Sequence, residues 1–393
     1  MAADPIVIAG AQRTPMGGFQ GELSGLTAPQ LGAAAIGAAL AQAGLSGEDP
    51  DEVYMGNVLS AGIGQAPARQ ASRFAGILDR TPCTTVSKVC GSGMKAVMLG
   101  ANALATGEVD IVVAGGMESM TNAPYLLPKA RGGFRLGHGE IKDHMFLDGL
   151  EDAYENRLMG TYAEEAARAY QFTREAQDAY ATESLLRAQA AQAEARFAGE
   201  LAPVTVKGRG GDATVETDEQ PRKADPKKIP TLKPAFAKDG TVTAANASSI
   251  SDGAAALVLL RASVAERRGV QPLARIVGQA SHARLPAQFT SAPVGALAAL
   301  FARTGWRPED VDLFEINEAF ANVAMIAMKE LNLPHAKVNV NGGACALGHP
   351  IGASGARILV TLLNALAKRN LKRGVATLCI GGGEATAIAV ERF

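Results

Sequence analysis

The sequence predicts an α/β fold in which helices cover both faces of a mostly parallel sheet. Patterns typical of buried strands alternate with helical patterns along the first 120 residues, and a similar alternation returns after residue 270. Helical crossovers between parallel strands lie on the faces of the sheet and cover them. Of the 393 residues, 47% are hydrophobic and 20% charged, which is enough to bury a large core and excludes global disorder.

The first third contains the clearest alternation. Runs of Val, Ile and Ala predict buried strands, while apolar residues three or four positions apart predict helices. The predicted strands lie at 5–10, 53–56 and 110–115, and the predicted helices at 27–43 and 94–104. The second of these helices follows a Gly-rich turn at 86–93 and is expected to end at Gly107.

The middle of the chain loses this pattern. Residues 121–159 mix Gly, Pro, Met and charged side chains without a period, and residues 207–233 are polar. Between them, Thr173 is expected to cap an Ala-rich helix that ends at Gly199. We interpret 121–249 as an insertion carried by the core.

The last third repeats the organisation of the first. The strand pattern resumes at 254–260, and the segment at 273–278 resembles the opening strand. Further strands are predicted at 312–316, 336–340, 374–380 and 385–390, with helices at 294–303 and 354–368. This predicts one half formed by 1–120 with 250–270, a loop domain at 121–249, and a second half at 271–393.

Charge, hydrophobicity and cysteine content exclude several classes of protein. The 38 basic and 39 acidic side chains nearly cancel, which argues against nucleic acid as the main partner. No run of 18 apolar residues predicts a membrane span, and Met1–Pro5 lacks the features of a signal peptide. The four scattered cysteines predict neither a disulfide scaffold nor a metal site, so we expect a cytoplasmic protein with reduced thiols.

Two turns place a cysteine where a buried strand is expected to end. Cys90, in Val89-Cys90-Gly91-Ser92-Gly93, precedes a helix whose N-terminus favours the thiolate. Cys379 precedes three glycines, whose unhindered N–H groups are typical of an oxyanion hole. Taken alone, either cysteine could equally be a small residue packed in the core.

Two further strand ends carry polar side chains. Asn317 follows the 312–316 strand and could cap a helix or orient a carbonyl group. His349 lies in a Gly-rich loop before a helix, where an imidazole suits a general base; the glycine spacing does not match a dinucleotide-binding loop. Ligands of open α/β sheets bind at the carboxyl ends of strands, so nucleophilic cysteine chemistry explains the four positions together.

These motifs resemble the thiolase family over essentially the whole chain, in particular its acetoacetyl-CoA-forming group. The resemblance is carried by seven blocks in order: Arg13-Thr14-Pro15, Val89–Met94, Ala114–Met120, Thr243–Ala256, Asn317–Phe320, Asn339–Arg357 and Cys379–Gly383. It implies two similar βαβαβαββ halves packed as a five-layered αβαβα core. The loop domain would serve coenzyme A binding and oligomerisation, and a homotetramer built as a dimer of dimers is implied.

The resemblance also implies roles for the strand-end residues. Cys90 would accept the acetyl group of acetyl-CoA as a thioester, and His349 would activate it. Cys379 would take the α-proton of a second acetyl-CoA, giving acetoacetyl-CoA and CoA. Asn317, through a water, would stabilise the enolate together with His349. The N–H groups of Cys90 and Gly381 would hold the oxyanion. No permanently bound cofactor or metal is implied.

Other matching positions are implied to contact the substrate. Arg222 and Ser248 match residues that contact coenzyme A in relatives, and Leu150, Met159 and Phe320 match the pantetheine and acyl pocket. The sequence departs from the family pattern in two places that bear on the site. Leu158 replaces a common His, which could change acyl-chain preference, and Glu384 follows the triple glycine, where it could raise the pKa of Cys379 or point away.

Three alternatives stay open on sequence alone. A 3-ketoacyl-CoA thiolase with a broader chain range in fatty-acid β-oxidation would use the same residues. A ketoacyl synthase of the same fold would use Cys with two His or Cys-His-Asn, which the second cysteine argues against. A non-catalytic acyl-CoA-binding relative would not need all four catalytic positions.

Overall fold

The computed structural model describes residues 4–208 and 211–393. Residues 1–3, part of the segment that does not resemble a signal peptide, lie outside this range. In the first half the elements are β1 Ile6–Arg13, β2 Gly17–Gly18, α1 Ala28–Gln42, β3 Glu52–Gly56, α2 Pro67–Phe74, β4 Cys83–Val86, α3 Ser92–Thr106 and β5 Ile111–Ser119. Among the described residues, no helix is both long and apolar enough to cross a membrane.

The insertion and the second half complete the chain. The insertion contains β6 Tyr125–Leu126, β7 Lys142–Asp143, α4 Met159–Ala169, α5 Arg174–Ala193, β8 Val204–Val206, β9 Ala213–Val215 and α6 Glu219–Lys223. The remaining elements are β10 Ser251–Arg261, α7 Ala262–Arg268, β11 Ala274–Ala283, α8 Ala292–Thr304, β12 Leu313–Ile316, α9 Ala321–Leu331, α10 Ala344–Leu347, α11 Ile351–Lys368, β13 Arg373–Ile380 and β14 Glu384–Arg392.

The two halves share one strand order. The first sheet runs β4-β3-β5-β10-β1, and the second runs β12-β13-β14-β11. They join where β1 and β11 pair antiparallel at Val7–Arg275 and Ile8–Ala274. In the second half, the strand that would match β4 is reduced to one parallel bridge between Phe314 and Val338. The predicted strand at 336–340 is therefore wrong apart from this single residue pair.

The expectation of a mostly parallel sheet is also wrong. β3 pairs parallel with β4 and β5, and β12 with β13, but β10 and β14 run antiparallel to their neighbours. β14 follows β13 through a tight Gly-rich turn, which reverses the chain and so requires antiparallel pairing. β10 returns from the insertion and lies between β5 and β1, opposite to both.

Five layers result from the way the helices bury their apolar faces. α1 and α2 pack on the outer face of the first sheet, and α8 and α9 on the outer face of the second. α3 and α11 lie between the two sheets in the central cluster, with Val97, Leu359 and Leu362 fully buried. The αβαβα core that the resemblance implies is confirmed, and it places the N-termini of α3 and α11 next to each other.

Close backbone contact holds α11 against β5. A Cβ atom added to Gly116 of β5 would lie 2.0 Å from the Gly352 carbonyl oxygen and 3.0 Å from the Ala353 Cα atom. Backbone at this distance leaves no room for a methyl group. The glycines at this contact therefore set how deeply α11, and the loop before it, can enter the core.

The substitution Gly116→Ala is expected to lower the free energy of unfolding by about 1–3 kcal/mol, because it overpacks the core. Denaturant unfolding monitored by circular dichroism would measure the change. Gly37→Ala is a matched control on α1: its Cβ atom would meet nothing within 4 Å, so stability should be unchanged or slightly raised. Equal stability of the Gly116→Ala variant and the wild type would contradict the close contact.

Candidate active site

Cys90 lies in the turn between β4 and α3, directly before Gly91, the N-cap of α3. Val89 adopts φ = 45°, a left-handed conformation that β-branched residues rarely adopt. Ser92 stabilises the turn: its Oγ accepts from the N–H of Lys88 at 2.8 Å and donates to the Val89 carbonyl at 2.6 Å. Such strain persists only where its surroundings hold it, and it is frequent at functional sites.

The turn after β13 faces the Cys90 turn. Gly382 and Gly383 adopt φ values of 86° and 87°, which only glycine takes without strain. The main-chain N–H groups of Gly381 and of Cys90 itself are close enough to the Cys90 sulfur to lower its pKa. Two main-chain N–H groups therefore lie beside the sulfur, near the position where the oxygen of a bound acyl group would develop negative charge.

His349 is buried between α10 and α11, with 6% of its surface exposed. Ser354 Oγ lies 2.5 Å from His349 Nδ1 and 2.9 Å from the Pro350 carbonyl oxygen. With its hydroxyl hydrogen on the Pro350 carbonyl oxygen, Ser354 can accept from His349 in the Nδ1–H tautomer, which leaves Nε2 as the basic nitrogen. Asn317 completes the group, with its Nδ2 3.4 Å from Nδ1 and 3.5 Å from Nε2.

Burial sets the protonation states of these groups. Burial raises the pKa of Cys90 to about 11, against the opposing pull of the Gly381 and Cys90 N–H groups. Burial, and then the nearby Arg357 guanidinium, lowers the pKa of His349 to about 3. Burial also raises the pKa of Cys379, and the neighbouring Cys90 sulfur adds to this. The resting site thus holds neutral thiols beside a neutral imidazole, and a thiolate forms only when His349 accepts the proton.

The lowered pKa of His349 predicts how activity depends on pH. A neutral imidazole is the active form, and its protonation shifts from the usual value near 6.5 to lower pH. The rate of turnover should therefore show no acid limb between pH 7 and pH 5.5. Initial rates over this range, with protein stability checked at each pH, would measure it. A tenfold fall per pH unit beginning near 6.5 would contradict the burial of His349.

A cavity of about 360 Å³ opens onto the catalytic turns and is mostly apolar. Cys90, His349 and Gly381 line it. So do four residues predicted to contact the substrate, Leu150, Met159, Ser248 and Phe320. Leu158 lines it as well.

Cys379 and Asn317 stand behind the cavity wall. Cys379 is fully buried and packs with Met159 and Phe320. Asn317 reaches the site through its contact with His349. The structure therefore places three of the five predicted catalytic residues on the cavity and the other two behind its wall, with Cys90 as the cysteine that a substrate meets first.

Arg222 is not brought to this cavity. Its guanidinium pairs with the Glu22 carboxylate at 2.6 Å and donates to the Asp218 carbonyl at 3.2 Å, beside a separate surface groove. Its neighbour Lys223 lines a second groove that shares Ser249 and Ile250 with the cavity. The contact of Arg222 with coenzyme A stays a prediction.

Glu384 is not a free carboxylate beside Cys379. It forms an ion pair with Lys88, from the opposite turn.

Two supporting residues were missed by the sequence reasoning. Ser354 hydrogen-bonds to His349, and its signal was a hydroxyl five positions after the predicted base. Glu318 follows Asn317 and is fully buried. Its carboxylate accepts from Ser184 Oγ at 2.7 Å, from Asn339 Nδ2 at 2.7 Å and from the Cys345 N–H at 3.0 Å. It thereby ties the Gly-rich loop before His349 to the Asn317 turn.

Comparison with known proteins places this geometry in a family. The model of the thiolase N-terminal domain matches residues 6–263, and that of the thiolase C-terminal domain matches residues 270–392. An acetyl-CoA acetyltransferase of Allochromatium vinosum is 49% identical over 390 residues, covering 99% of each chain. One of Cupriavidus necator is 50% identical over 98% of this chain and 99% of its own. Acetyl-CoA acetyltransferase 2 of Arabidopsis thaliana is 52% identical over 98% of this chain and 96% of its own chain.

Proposed function

Because the chain belongs to the thiolase family, we propose that it transfers an acetyl group from one acetyl-CoA to another, forming acetoacetyl-CoA and CoA, and catalyses the reverse thiolysis. The observation that carries this proposal is the second cysteine. Cys379 lies close enough to Cys90 for the Cys90 sulfur to raise the pKa of Cys379. A single acyl transfer needs one nucleophile, whereas carbon–carbon bond formation also needs a base for the second substrate.

The reaction proceeds in two halves. In the first, the Cys90 thiol gives its proton to His349 Nε2 and the sulfur attacks the carbonyl carbon of acetyl-CoA. The carbon–sulfur bond to coenzyme A breaks, and the departing thiolate takes the proton from His349. The N–H groups of Gly381 and Cys90 stabilise the oxyanion at the carbonyl oxygen.

In the second half, the Cys379 thiol gives its proton to His349, and the resulting thiolate takes an α-proton from a second acetyl-CoA. The enolate oxygen is stabilised near His349 and Asn317, and its carbon attacks the acetyl group on Cys90. A carbon–carbon bond forms and the bond to Cys90 sulfur breaks. The released Cys90 thiolate takes the proton from His349, and acetoacetyl-CoA leaves. Side chains and substrates alone supply these steps, so we propose that no bound cofactor takes part.

The shape of the cavity favours a short acyl chain. Phe236, Phe289 and Phe320 line it with edge-to-face ring contacts, their centroids 6.0 and 6.1 Å apart. Packed aromatic rings form a wall that a longer chain must displace. We expect faster thiolysis of acetoacetyl-CoA than of a long-chain 3-ketoacyl-CoA, measured with both substrates at saturation. Equal or faster cleavage of the long chain would favour the β-oxidation alternative.

The assembly and location of the enzyme stay predictions. We propose a homotetramer in the cytoplasm, by the resemblance of the insertion to the oligomerisation loops of relatives. Sedimentation velocity of the purified chain would test the assembly: a species of four chains is expected, and a monomer would contradict it.

A further inference from the structure

The two catalytic turns meet along a narrow contact, which we call the turn seam: residues 88–91 on one side and residues 380–384 on the other. A Cβ atom on Gly91 would lie 2.3 Å from Ile380 Cδ1, and one on Gly381 would lie 3.3 Å from Val89 Cγ1. The turns are therefore in direct van der Waals contact beside Cys90, and small changes at the seam move the catalytic groups relative to each other.

One ion pair closes the outer end of the seam. The Lys88 ammonium meets the Glu384 carboxylate, with 21% and 39% of the two side chains exposed. Among the described residues, it is the one hydrogen bond between side chains of the two turns. Neither residue lines the cavity, so neither is placed to touch the substrate.

The turn seam joins two elements that each carry part of the oxyanion site. Cys90 directly precedes the N-cap of α3, whereas Gly381 belongs to the turn of the β13–β14 hairpin, so the oxyanion site has parts on two separate elements. The Val89 backbone, between Lys88 and Cys90, is strained and relaxes unless its neighbours restrain it. A bond from Lys88 to the hairpin restrains the strained turn and the Gly381 N–H together.

We propose that Lys88 and Glu384 are positioning residues, whose ion pair holds the Gly381 N–H against the Cys90 sulfur and so sets the rate of acyl transfer. This inference rests on the proposed function for its rate measurement. A partly exposed ion pair contributes little to overall stability. A small misplacement of reacting groups, by contrast, lowers catalysis steeply. The effect should thus appear in the chemical step and leave folding and substrate binding nearly unchanged.

The test uses Glu384→Gln, Lys88→Met and the exchanged double variant Lys88→Glu with Glu384→Lys. We expect acetyl-enzyme formation in single turnover to slow about tenfold in each single variant. KM for acetyl-CoA and the melting temperature should stay near the wild-type values. The exchanged pair should restore most of the rate, because it can form the same bond in the opposite direction.

Glu391→Gln is a matched control on the same strand, where it removes ion pairs to Arg275 and Arg373 away from the seam. It should acetylate at the wild-type rate. Wild-type rates in both single variants would overturn the proposal, as would an exchanged pair no faster than the single variants. A rise in the KM for acetyl-CoA as large as the fall in the acetylation rate would also overturn the proposal, because it would indicate a role in binding.

Alkylation of Cys90 by iodoacetamide separates this proposal from the proposed function, because it needs no coenzyme A. The Gly381 N–H stabilises the thiolate, so its displacement should slow alkylation at a fixed pH in Glu384→Gln and leave the exchanged pair near wild type. A wild-type enzyme that forms no acetyl adduct would refute the proposed function. Unchanged alkylation in Glu384→Gln would refute the role of the ion pair.

Discussion

Replacing Cys90 with serine is expected to abolish the covalent acetyl-enzyme and to lower turnover on the order of 10⁴-fold or more. The hydroxyl is a much weaker acid than the thiol that it replaces. His349, whose pKa burial lowers to about 3, is too weak a base to activate it. Single-turnover incubation with labelled acetyl-CoA, followed by denaturation and counting of bound label, measures the effect.

Cys83→Ser provides the control for this variant. Cys83 is another partly exposed free cysteine, on β4 and so on the strand that leads into the Cys90 turn. It does not line the cavity, so this variant should acetylate like the wild type. Wild-type amounts of bound label in Cys90→Ser would show that the nucleophile is a different residue.

Replacing Cys379 with serine is expected to separate the two halves of the reaction. Acetylation of Cys90 should stay measurable, since Gly381, His349 and the cavity are unchanged. Condensation should fall by about 10²–10⁴-fold, because the α-proton of the second acetyl-CoA has lost its base. Acetyl-enzyme formation and acetoacetyl-CoA production, measured on one preparation, give the two rates.

Exchange of label between acetyl-CoA and CoA adds a check on this variant. That exchange uses only the first half-reaction, so Cys379→Ser should catalyse it while making almost no acetoacetyl-CoA. Serine differs from cysteine by one atom, so the substitution changes the shape of the side chain very little. Condensation at nearly the wild-type rate would assign the acid–base role to another group.

The repeated halves were predictable because most of their strands are short, buried aliphatic runs. It failed at 336–340, where the alternation of Val338 and Val340 is typical of a strand. In the structure Asn339 has φ = 47°. Its side chain accepts from the Ile316 N–H and donates to the Ile316 carbonyl, each at 2.8 Å. A side chain thus makes the hydrogen bonds that a strand would make, and no local pattern signals this exchange.

Helix ends and charged surface residues were harder to predict for a related reason. α5 begins at the Thr173 cap as predicted but ends at Ala193, before Gly199. Ala195 takes the left-handed conformation that a glycine usually supplies at a helix end. Arg222 pairs with Glu22, 200 residues away, so its direction depends on how the insertion packs on the first half.

Cys90, Asn317 and Cys379 were predictable because each lies near the carboxyl end of a strand, where the fold brings such residues together. His349 lies between α10 and α11, and its signal was the Gly-rich loop around it. These four residues come from separate segments of the chain, and the fold brings them together without long side chains. Their supporting partners were harder to find. Ser354 and Glu318 act through hydrogen bonds that depend on the packing of α11 and α5, which residue spacing does not reveal.

The central claim is that Cys90 carries the acetyl group between the two half-reactions. Labelled acetyl-CoA should be added to the enzyme under single-turnover conditions. The protein is then digested at acid pH, and the labelled peptide is sequenced. The account predicts one acetyl group per chain on the peptide that contains Cys90, released by added CoA. Label on the Cys379 peptide, or none that CoA can release, would contradict it.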